Sequence, residues 1–516
     1  MHRFSFRLTL LMYLLGIVFI FPGCATLPPR QDLAHEPALP PADSGSLALL
    51  AERFTGANGP EASGFHLLID AQEALDARLA LIDLATSSID LQYFIWKGDV
   101  VGTLLFDRLM QAADRGVRVR IIVDDIWLGS TTRNLTALNA HHNLEIRIFN
   151  PNPSRDSTFG GFINYLSSFQ ALNQRMHNKL MIVDNHAIIV GGRNLGNEYF
   201  GLGKEFNFLD VDVIAVGGVV GESSRAYDEY WNDNAVYPLT RWIDELPDNT
   251  LGEVRSALSK RLETYSPQLV SYHLENRDWQ ESLDILEENL LIGTAHFLQD
   301  DPVQIEGKNY RLIDMISYFS EPTREEFLMS SPYLLPVGTA LQDLQEGVER
   351  GVKVKIITNS LASTNHTLVN SHYKKYRRPI LNTGARLFEF NYQPSGTVRN
   401  WADVEPVKAP FISLHAKTIV TDRRLCFIGS LNFDPRALVI NSENGLLIKS
   451  EELAGELADF LEFLTEPENG WEVSLGRGNR IHWQSSNRTL DVQPARGGLQ
   501  SLVDLFGRLL PIESQL

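Results

Sequence analysis

Six polar or small residues recur at one spacing in this chain. His177, Lys179, Asp184, Gly191, Gly192 and Asn194 form one set. His415, Lys417, Asp422, Gly429, Ser430 and Asn432 form a second, displaced by 238 residues at every position. A lone His-x-Lys arises by chance in any long chain. A six-residue pattern repeated at one offset, each time on a strand-like apolar run, does not. The side chains suit the cleavage of a phosphodiester. A histidine nucleophile splits displacement at phosphorus into two easier steps through a covalent phosphohistidine. A second histidine protonates the leaving alkoxide, then deprotonates the incoming alcohol or water. Lys179 and Lys417, with Asn194 and Asn432, can hold the equatorial oxygens and the extra charge of the transition state. Two fixed ammonium groups can stand where a metal ion would, so neither a metal nor another cofactor is expected.

The elements that must position these residues also repeat. In the first half a strand is expected at 89–96, a helix near 102–115, and strands at 116–123, 144–149, 179–190 and 210–216. The second half repeats the order at 327–335, 341–350, 351–358, 385–390, 417–428 and 445–448, and 351–358 matches 116–123 almost residue for residue. Strands alternating with helices, the strands apolar on both faces, predict α/β layering. Each half should be a mixed, mostly parallel sheet flanked by helices, the two related by a pseudo-twofold axis with the site between them. The expected organisation is a leader at 1–24, a Pro/Ala-rich tether at 25–46, a first half at 47–240 and a connecting region without counterpart at 241–300. A second half follows at 301–470, and an extension with an amphipathic segment at 471–516.

Composition narrows the partners. The formal net charge is −18 over 516 residues. That opposes a nucleic-acid partner, which calls for a basic face, and opposes non-specific adsorption to anionic lipid. Membrane attachment should therefore come from apolar contact or a covalent anchor. The two cysteines are Cys24 and Cys426. Cys426 lies in the run Leu425-Cys426-Phe427-Ile428 and reads as a small buried hydrophobe. No Cys/His metal-ligand spacing occurs. A basic start (His2, Arg3, Arg7) precedes an apolar run from Leu8 to Phe21. Its length of about 14 residues is short for a span and suits a signal-peptide core.

The doubled motif resembles the signature of the phospholipase D superfamily. Tyr93-Phe94-Ile95-Trp96, Asp124-Asp125, Arg175-Met176-His177-Asn178-Lys179, Ser413-Leu414-His415-Ala416-Lys417 and the run from Gly429 through Asp434-Pro435-Arg436 are similar to the bacterial cardiolipin synthases within it. The similarity runs from about residue 50 to the C-terminus. It implies two phospholipase D-like halves and phosphatidyl transfer, with His177 as nucleophile and His415 as general acid/base. It implies that Asp184 and Asp422 support the site, that Gly192 and Ser430 join the asparagines around the substrate, and that Asp210 and Glu443 orient the imidazoles. Asp212 competes with Asp210 for that last role. The implied substrates are glycerophospholipids at a membrane surface: phosphatidylglycerol, with phosphatidylethanolamine as an alternative donor. Gly23-Cys24 after the apolar run resembles a lipobox. It implies lipidation at Cys24 and a place in the bacterial cell envelope, exported, anchored and facing the periplasm. Other readings stay open: hydrolysis by the same chemistry, a nuclease of the same superfamily, and a non-catalytic lipid-binding lipoprotein. No feature identifies a protein partner. Two apolar stretches, one at Phe159, Phe162, Tyr165, Leu166 and Phe169, the other from Leu499 to Leu510, read first as packing on the body and second as lipid-facing.

Overall fold

A computed structural model describes residues 33–127, 139–151, 174–242, 250–272, 274, 278–302, 311–319, 322–486, 488–510 and 513. Cys24 and the aromatic stretch 159–169 lie outside them.

Runs of Val, Ile and Leu form the strands of the first half: β1 (Ser63–Leu68), β2 (Ser88–Tyr93), β3 (Arg118–Asp124), β4 (Leu144–Phe149), β5 (Lys179–Val183), β6 (Ala187–Gly191), β7 (Asn207–Leu209), β8 (Asp212–Gly217) and β9 (Val236–Pro238). The second half supplies β10 (Leu291–Gln299), β11 (Glu326–Ser330), β12 (Lys353–Asn359), β13 (Arg386–Phe390), β14 (Ile412–Leu414), β15 (Thr418–Thr421), β16 (Leu425–Gly429), β17 (Asn444–Lys449), β18 (Gly470–Leu475), β19 (Ile481–Ser485) and β20 (Arg488–Leu490). The matching runs at 116 and 351 begin alike. Gly116 (φ 97°) and Gly351 (φ 95°) each follow a helix and turn the chain in the left-handed region, which glycine enters without steric cost.

Both halves are mixed sheets, but the balance differs from the expected parallel majority. Among the described residues, the parallel pairings within each half are β2–β3–β4 and β11–β12–β13. The other pairings within each half are antiparallel. The reason lies in the motif strands. The runs 179–190 and 417–428, read as single strands, are tight hairpins. Asp184 and Asn185 (both φ 53°) reverse the first, and Asp422 and Arg423 (both φ 52°) the second. A two-residue turn of this kind joins antiparallel neighbours and needs no crossover helix.

The two sheets are also one. β1 pairs with both β8 and β10, and β10 with β17. The result is a continuous 18-stranded sheet, in the order β9-β4-β3-β2-β5-β6-β8-β1-β10-β17-β16-β15-β11-β12-β13-β18-β19-β20. The order mirrors about the β1–β10 seam, so β10 is the counterpart of β1. The stretch 241–300, expected to have no counterpart, therefore ends in a structural strand of the second half. One apolar cluster spans the halves: Tyr227, Tyr230 and Trp231 on the helix Val219–Trp231 belong to the same buried cluster as Leu453, Leu457 and Leu461 on the helix Glu451–Thr465. On the opposite face the helices Ala71–Leu84 and Val100–Asp114, N-capped by Asp70 and Asp99, cover the first half.

Candidate active site

The two histidines lie at the carboxyl ends of the central parallel strands. Lys179 pairs with Tyr93, the last residue of β2, and Thr418 with Ser330, the last of β11. The site is thus set where each motif hairpin meets the end of a parallel strand.

Each histidine is completed from the other half. The His177 N–H donates to Ser442 O at 2.8 Å, and His177 Nδ1 lies 2.8 Å from Glu443 Oε2. The His415 N–H donates to Leu209 O at 2.7 Å, and His415 Nδ1 lies 2.5 Å from Asp210 Oδ2. The second arrangement follows from β7 and β14, which pair in parallel across the halves and deliver Asp210 beside His415. Each of the two acids expected to orient an imidazole stands against the histidine of the opposite repeat. Asp212 does not compete. It is buried against Arg78 (2.7 Å) with Arg193 at 3.5 Å.

Gly192 and Ser430, expected around the substrate, instead frame the acids. A Cβ at residue 192 would stand 2.2 Å from Asp210 Oδ1, so only glycine leaves room for that carboxylate. At the equivalent place the Ser430 hydroxyl donates to Glu443 Oε2 and accepts the Asn444 N–H. The asparagines of the motif also differ from each other. Asn194 is committed to the fold, its Oδ1 accepting the Ile95 N–H (3.1 Å) and its Nδ2 donating to the Tyr199 hydroxyl (3.1 Å). Asn432 Oδ1 is buried and meets no partner among the described residues. It is the motif amide left open to a ligand.

Both lysines are buried. Lys179 Nζ donates to His177 O and lies 5.5 Å from the centre of the Phe94 ring. Lys417 Nζ donates to His415 O and sits 2.9 Å from His415 Nδ1. Aromatic rings wall the imidazoles: Phe94 at 4.9 Å from His177, Phe208 at 4.5 Å and Tyr199 at 5.2 Å from His415. Two further asparagines, not visible in the motif, fix the backbone. Asn444 brackets Lys179, accepting its N–H (3.0 Å) and donating to its carbonyl (3.3 Å). Asn359 does the same for Leu414, at 3.0 Å and 2.8 Å. Asp124 Oδ2 accepts the Met176 N–H at 3.0 Å, giving one member of the acidic pair a place behind His177.

The electrostatics break the pseudo-symmetry. Burial, then Lys179 and Lys417, press the His177 imidazole towards neutrality. Burial and Lys417 push His415 down to about 3, against the pull of Asp210. Burial opposes ionisation of Asp210, but His415 and Lys417 outweigh it and hold the carboxyl below its usual range. At Glu443 burial wins over Lys179 and raises the carboxyl to about 8. Burial lowers both ammonium groups, Lys417 to about 8 despite Asp210. At neutral pH one pair therefore carries an ionised acid and the other a largely protonated one.

Asp184 and Asp422 are not in the site. Each stands at the far end of a motif strand, about 17 Å from its lysine by strand rise. Asp184 accepts four hydrogen bonds, from Thr86 N and Oγ1, Ser87 N and Ser88 N. Asp422 accepts from the N–H groups of Arg324, Glu325 and Glu326. Both tie the hairpin turn to the start of the neighbouring strand. Asp184→Ala should leave several buried donors without partners and cost roughly 2–4 kcal/mol of stability. Turnover per folded molecule should stay close to wild type. Denaturant unfolding beside active-site-normalised kinetics checks this, and a large loss of turnover without loss of stability would return Asp184 to the chemistry. The Cys426 thiol is buried and pushed up to about 12, as expected of a packed hydrophobe. Among the described residues no cluster of three or more His, Cys, Asp or Glu could hold a metal ion, and no helix is long and apolar enough to cross a membrane.

Comparison with known proteins gives the same pattern. The family described as the PLD-like domain of cardiolipin synthase matches residues 79–230 and again 315–464. The chain is 33% identical over 470 residues to cardiolipin synthase C of Escherichia coli (strain K12), covering 88% of this chain and 96% of that one. It is 23% identical over 394 residues to a cardiolipin synthase of Clostridium perfringens (strain 13 / Type A), covering 76% and 68%. Among solved structures, phosphatidylserine synthase of Haemophilus influenzae superposes with a TM-score of 0.56 at 14% identity, over 90% of this chain and all of the other. That last likeness is one of fold.

Proposed function

The chain belongs to the PLD-like cardiolipin synthase family, and from that premise we propose that it is a phosphatidyltransferase forming cardiolipin. The observation that carries the reading is the pair of crossed carboxylate–imidazole contacts flanked by two buried lysines. In the first step the Nε2 of His177 attacks the phosphorus of a glycerophospholipid. The P–O bond to the headgroup breaks, and His415, neutral in the free site, takes up a proton on Nε2 once the anionic phosphate offsets the lysines and gives it to the leaving alkoxide. In the second step His415 takes the proton of a phosphatidylglycerol hydroxyl, whose oxygen attacks phosphorus and breaks the P–N bond. One phosphodiester is exchanged for another, so no nucleotide is consumed. Glu443 holds the Nδ1 proton of His177 and Asp210 that of His415, leaving each Nε2 facing the phosphate. Lys179, Lys417 and Asn432 face the charge that develops on its oxygens. The leader and Cys24 support a place for this chemistry in the cell envelope, next to its lipids. Water in place of the second alcohol would make the same site a phospholipase D. Lipid analysis decides: a host lacking other cardiolipin synthases should gain cardiolipin with the wild-type chain and not with the double histidine variant. Phosphatidic acid in its place would make the enzyme a hydrolase.

The pH profile tests the assignment of roles. His177 attacks only when Glu443 is ionised to hold its Nδ1 proton, so kcat/KM should rise with pH as Glu443 ionises near 8. It should fall at higher pH as Lys417, also near 8, loses its charge. The expected result is a narrow bell centred close to pH 8, its limbs reporting the free enzyme. Glu443→Gln should lose the acid limb and keep the alkaline one. A rate that only declines as pH rises through 8 would assign attack to His415, with the protonated Glu443–His177 pair as acid.

A further inference from the structure

The helix Gly498–Gly507 is inverted relative to an ordinary surface helix. Gln500, Asp504 and Gly507, spaced four and three apart, face the body of the protein. Asp504, 2% exposed, pairs with Lys374 and accepts from Gln493 Nε2 at 2.8 Å. Gln500 Nε2 donates to Leu361 O at 2.5 Å. A Cβ at residue 507 would stand 2.8 Å from Ser371 Oγ, so glycine lets the helix lie close to the helix Thr367–Tyr373. The outward side is apolar. Leu499, Leu502, Val503 and Phe506 fall at i, i+3, i+4 and i+7, and Leu509 and Leu510 extend the stripe by three and four more. All six are exposed, Leu499 to 77%, Phe506 to 60% and Leu509 to 71%. A soluble helix normally buries such a stripe and leaves its polar side in water. Here polar anchors fasten the helix and the apolar stripe is held out.

We propose that this face docks on the phospholipid surface and seats the mouth of the active site against it. The occupant follows in part from the proposed function, whose substrates reside in a bilayer, and in part from position. A file of rings runs from the helix to the chemistry. The Arg496 guanidinium lies 3.7 Å over Phe411, Phe411 stacks on Phe206 at 5.4 Å, Phe206 meets Phe208 edge-on at 5.0 Å, and Phe208 lies 4.5 Å from His415. Leu361, which anchors Gln500, lies two residues beyond Asn359, the residue that brackets Leu414. The apolar face therefore stands at the carboxyl end of β12, the end of the sheet that carries His415. Its charge also suits lipid. In a chain of net charge −18, the one acidic side chain of this helix is turned inward onto Lys374, and exposed Arg496 and Arg508 flank the stripe. Leucine and phenylalanine beside arginine at the interface is the composition of a helix lying in the headgroup region.

A local probe tests this in the full chain, because it reports on residue 506 itself whatever else holds the protein to lipid. In a Cys24→Ser background, Phe506→Cys carries an environment-sensitive fluorophore, and Glu349→Cys, the last residue of the helix Ala340–Glu349 that leads into β12, carries it as a control. With vesicles of phosphatidylglycerol and phosphatidylethanolamine, emission at 506 should shift to the blue and be quenched by brominated acyl chains, while 349 stays unchanged. His177→Ala should not alter the shift, so docking is read without turnover. If the probe shifts and no cardiolipin forms, docking stands and the proposed reaction falls. A probe at 506 indifferent to vesicles on which the same protein turns over lipid would overturn the proposal. So would a blue shift without lipid that grows with protein concentration, which would mean that a second copy covers the face. Leu502→Asp with Phe506→Asp, both at exposed positions, should lower turnover on vesicles roughly tenfold or more, from the lost burial of two large apolar groups. Turnover of a monomeric short-chain phospholipid should stay near wild type; an equal loss on both substrates would also overturn the proposal.

Discussion

His177→Ala and His415→Ala should each reduce phosphatidyl transfer by about 10⁴-fold or more, and the double variant should be scarcely worse than either, because residues acting as one unit are grossly non-additive. The geometry makes them such a unit. Each imidazole is aimed by an acid from the other repeat, and Lys417 lowers the proton affinity of both rings. Without His177 there is no group to accept the phosphatidyl chain; without His415 the leaving alkoxide finds no proton. Cardiolipin formation by the purified single and double variants, with circular dichroism to show that each is folded, is the measurement. Residual transfer above about 1% in either single variant is far more than a unit of this kind allows and would mean two independent sites.

Asp210→Asn should cost roughly 10³- to 10⁴-fold, the scale on which loss of an orienting carboxylate acts on a catalytic imidazole. The substitution is isosteric in a pocket walled by Gly192, so the fold should hold. What disappears is a permanent negative charge. An amide no longer fixes the Nδ1 proton of His415, and it no longer supports the Lys417 ammonium, which burial already weakens. Glu443→Gln at pH 7 should be milder, because burial keeps most of that carboxyl protonated there. The two variants compared at pH 7 check the charge asymmetry directly. Equal losses would mean that the two acids carry the same charge in the working enzyme.

What the chain discloses before folding is whatever lies close along it. The two motifs were legible because histidine, lysine and the small residues sit on one hairpin each, and matching at a constant offset requires no knowledge of the fold. The parallel cores were legible in the Gly-Val-x-Val-x-Ile-Ile runs at 116 and 351. The hairpins were not, because neither Asp184-Asn185 nor Asp422-Arg423 contains the glycine that usually marks a two-residue turn. Both runs therefore looked like one strand. The crossing of the acids was hidden for a different reason. It depends on β7 meeting β14, and the partners Asp210 and His415 are 205 residues apart. Nothing local distinguishes an acid that serves its own repeat from one that serves the other. Asn359 and Asn444 act through the main chain of residues far away in sequence, so the motif could not point to them. The spacing of apolar residues from Leu499 to Leu510 makes that segment amphipathic. Which side faces the protein was set by Asp504, Lys374 and a glycine contact, none of which enters a hydrophobic pattern.

The crossed contacts also say what the repeat unit can be. A single half would carry a histidine, a lysine and an acid, yet that acid would be aimed at a ring the half does not possess. Cut between the repeats, the protein would yield two fragments, each the missing cofactor of the other, and only their complementation could restore a working pair. The smallest self-sufficient unit of this chemistry is therefore two halves, each facing the other. The two halves are not interchangeable: one sets glycine beside an ionised aspartate, the other serine beside a glutamate that burial keeps largely protonated.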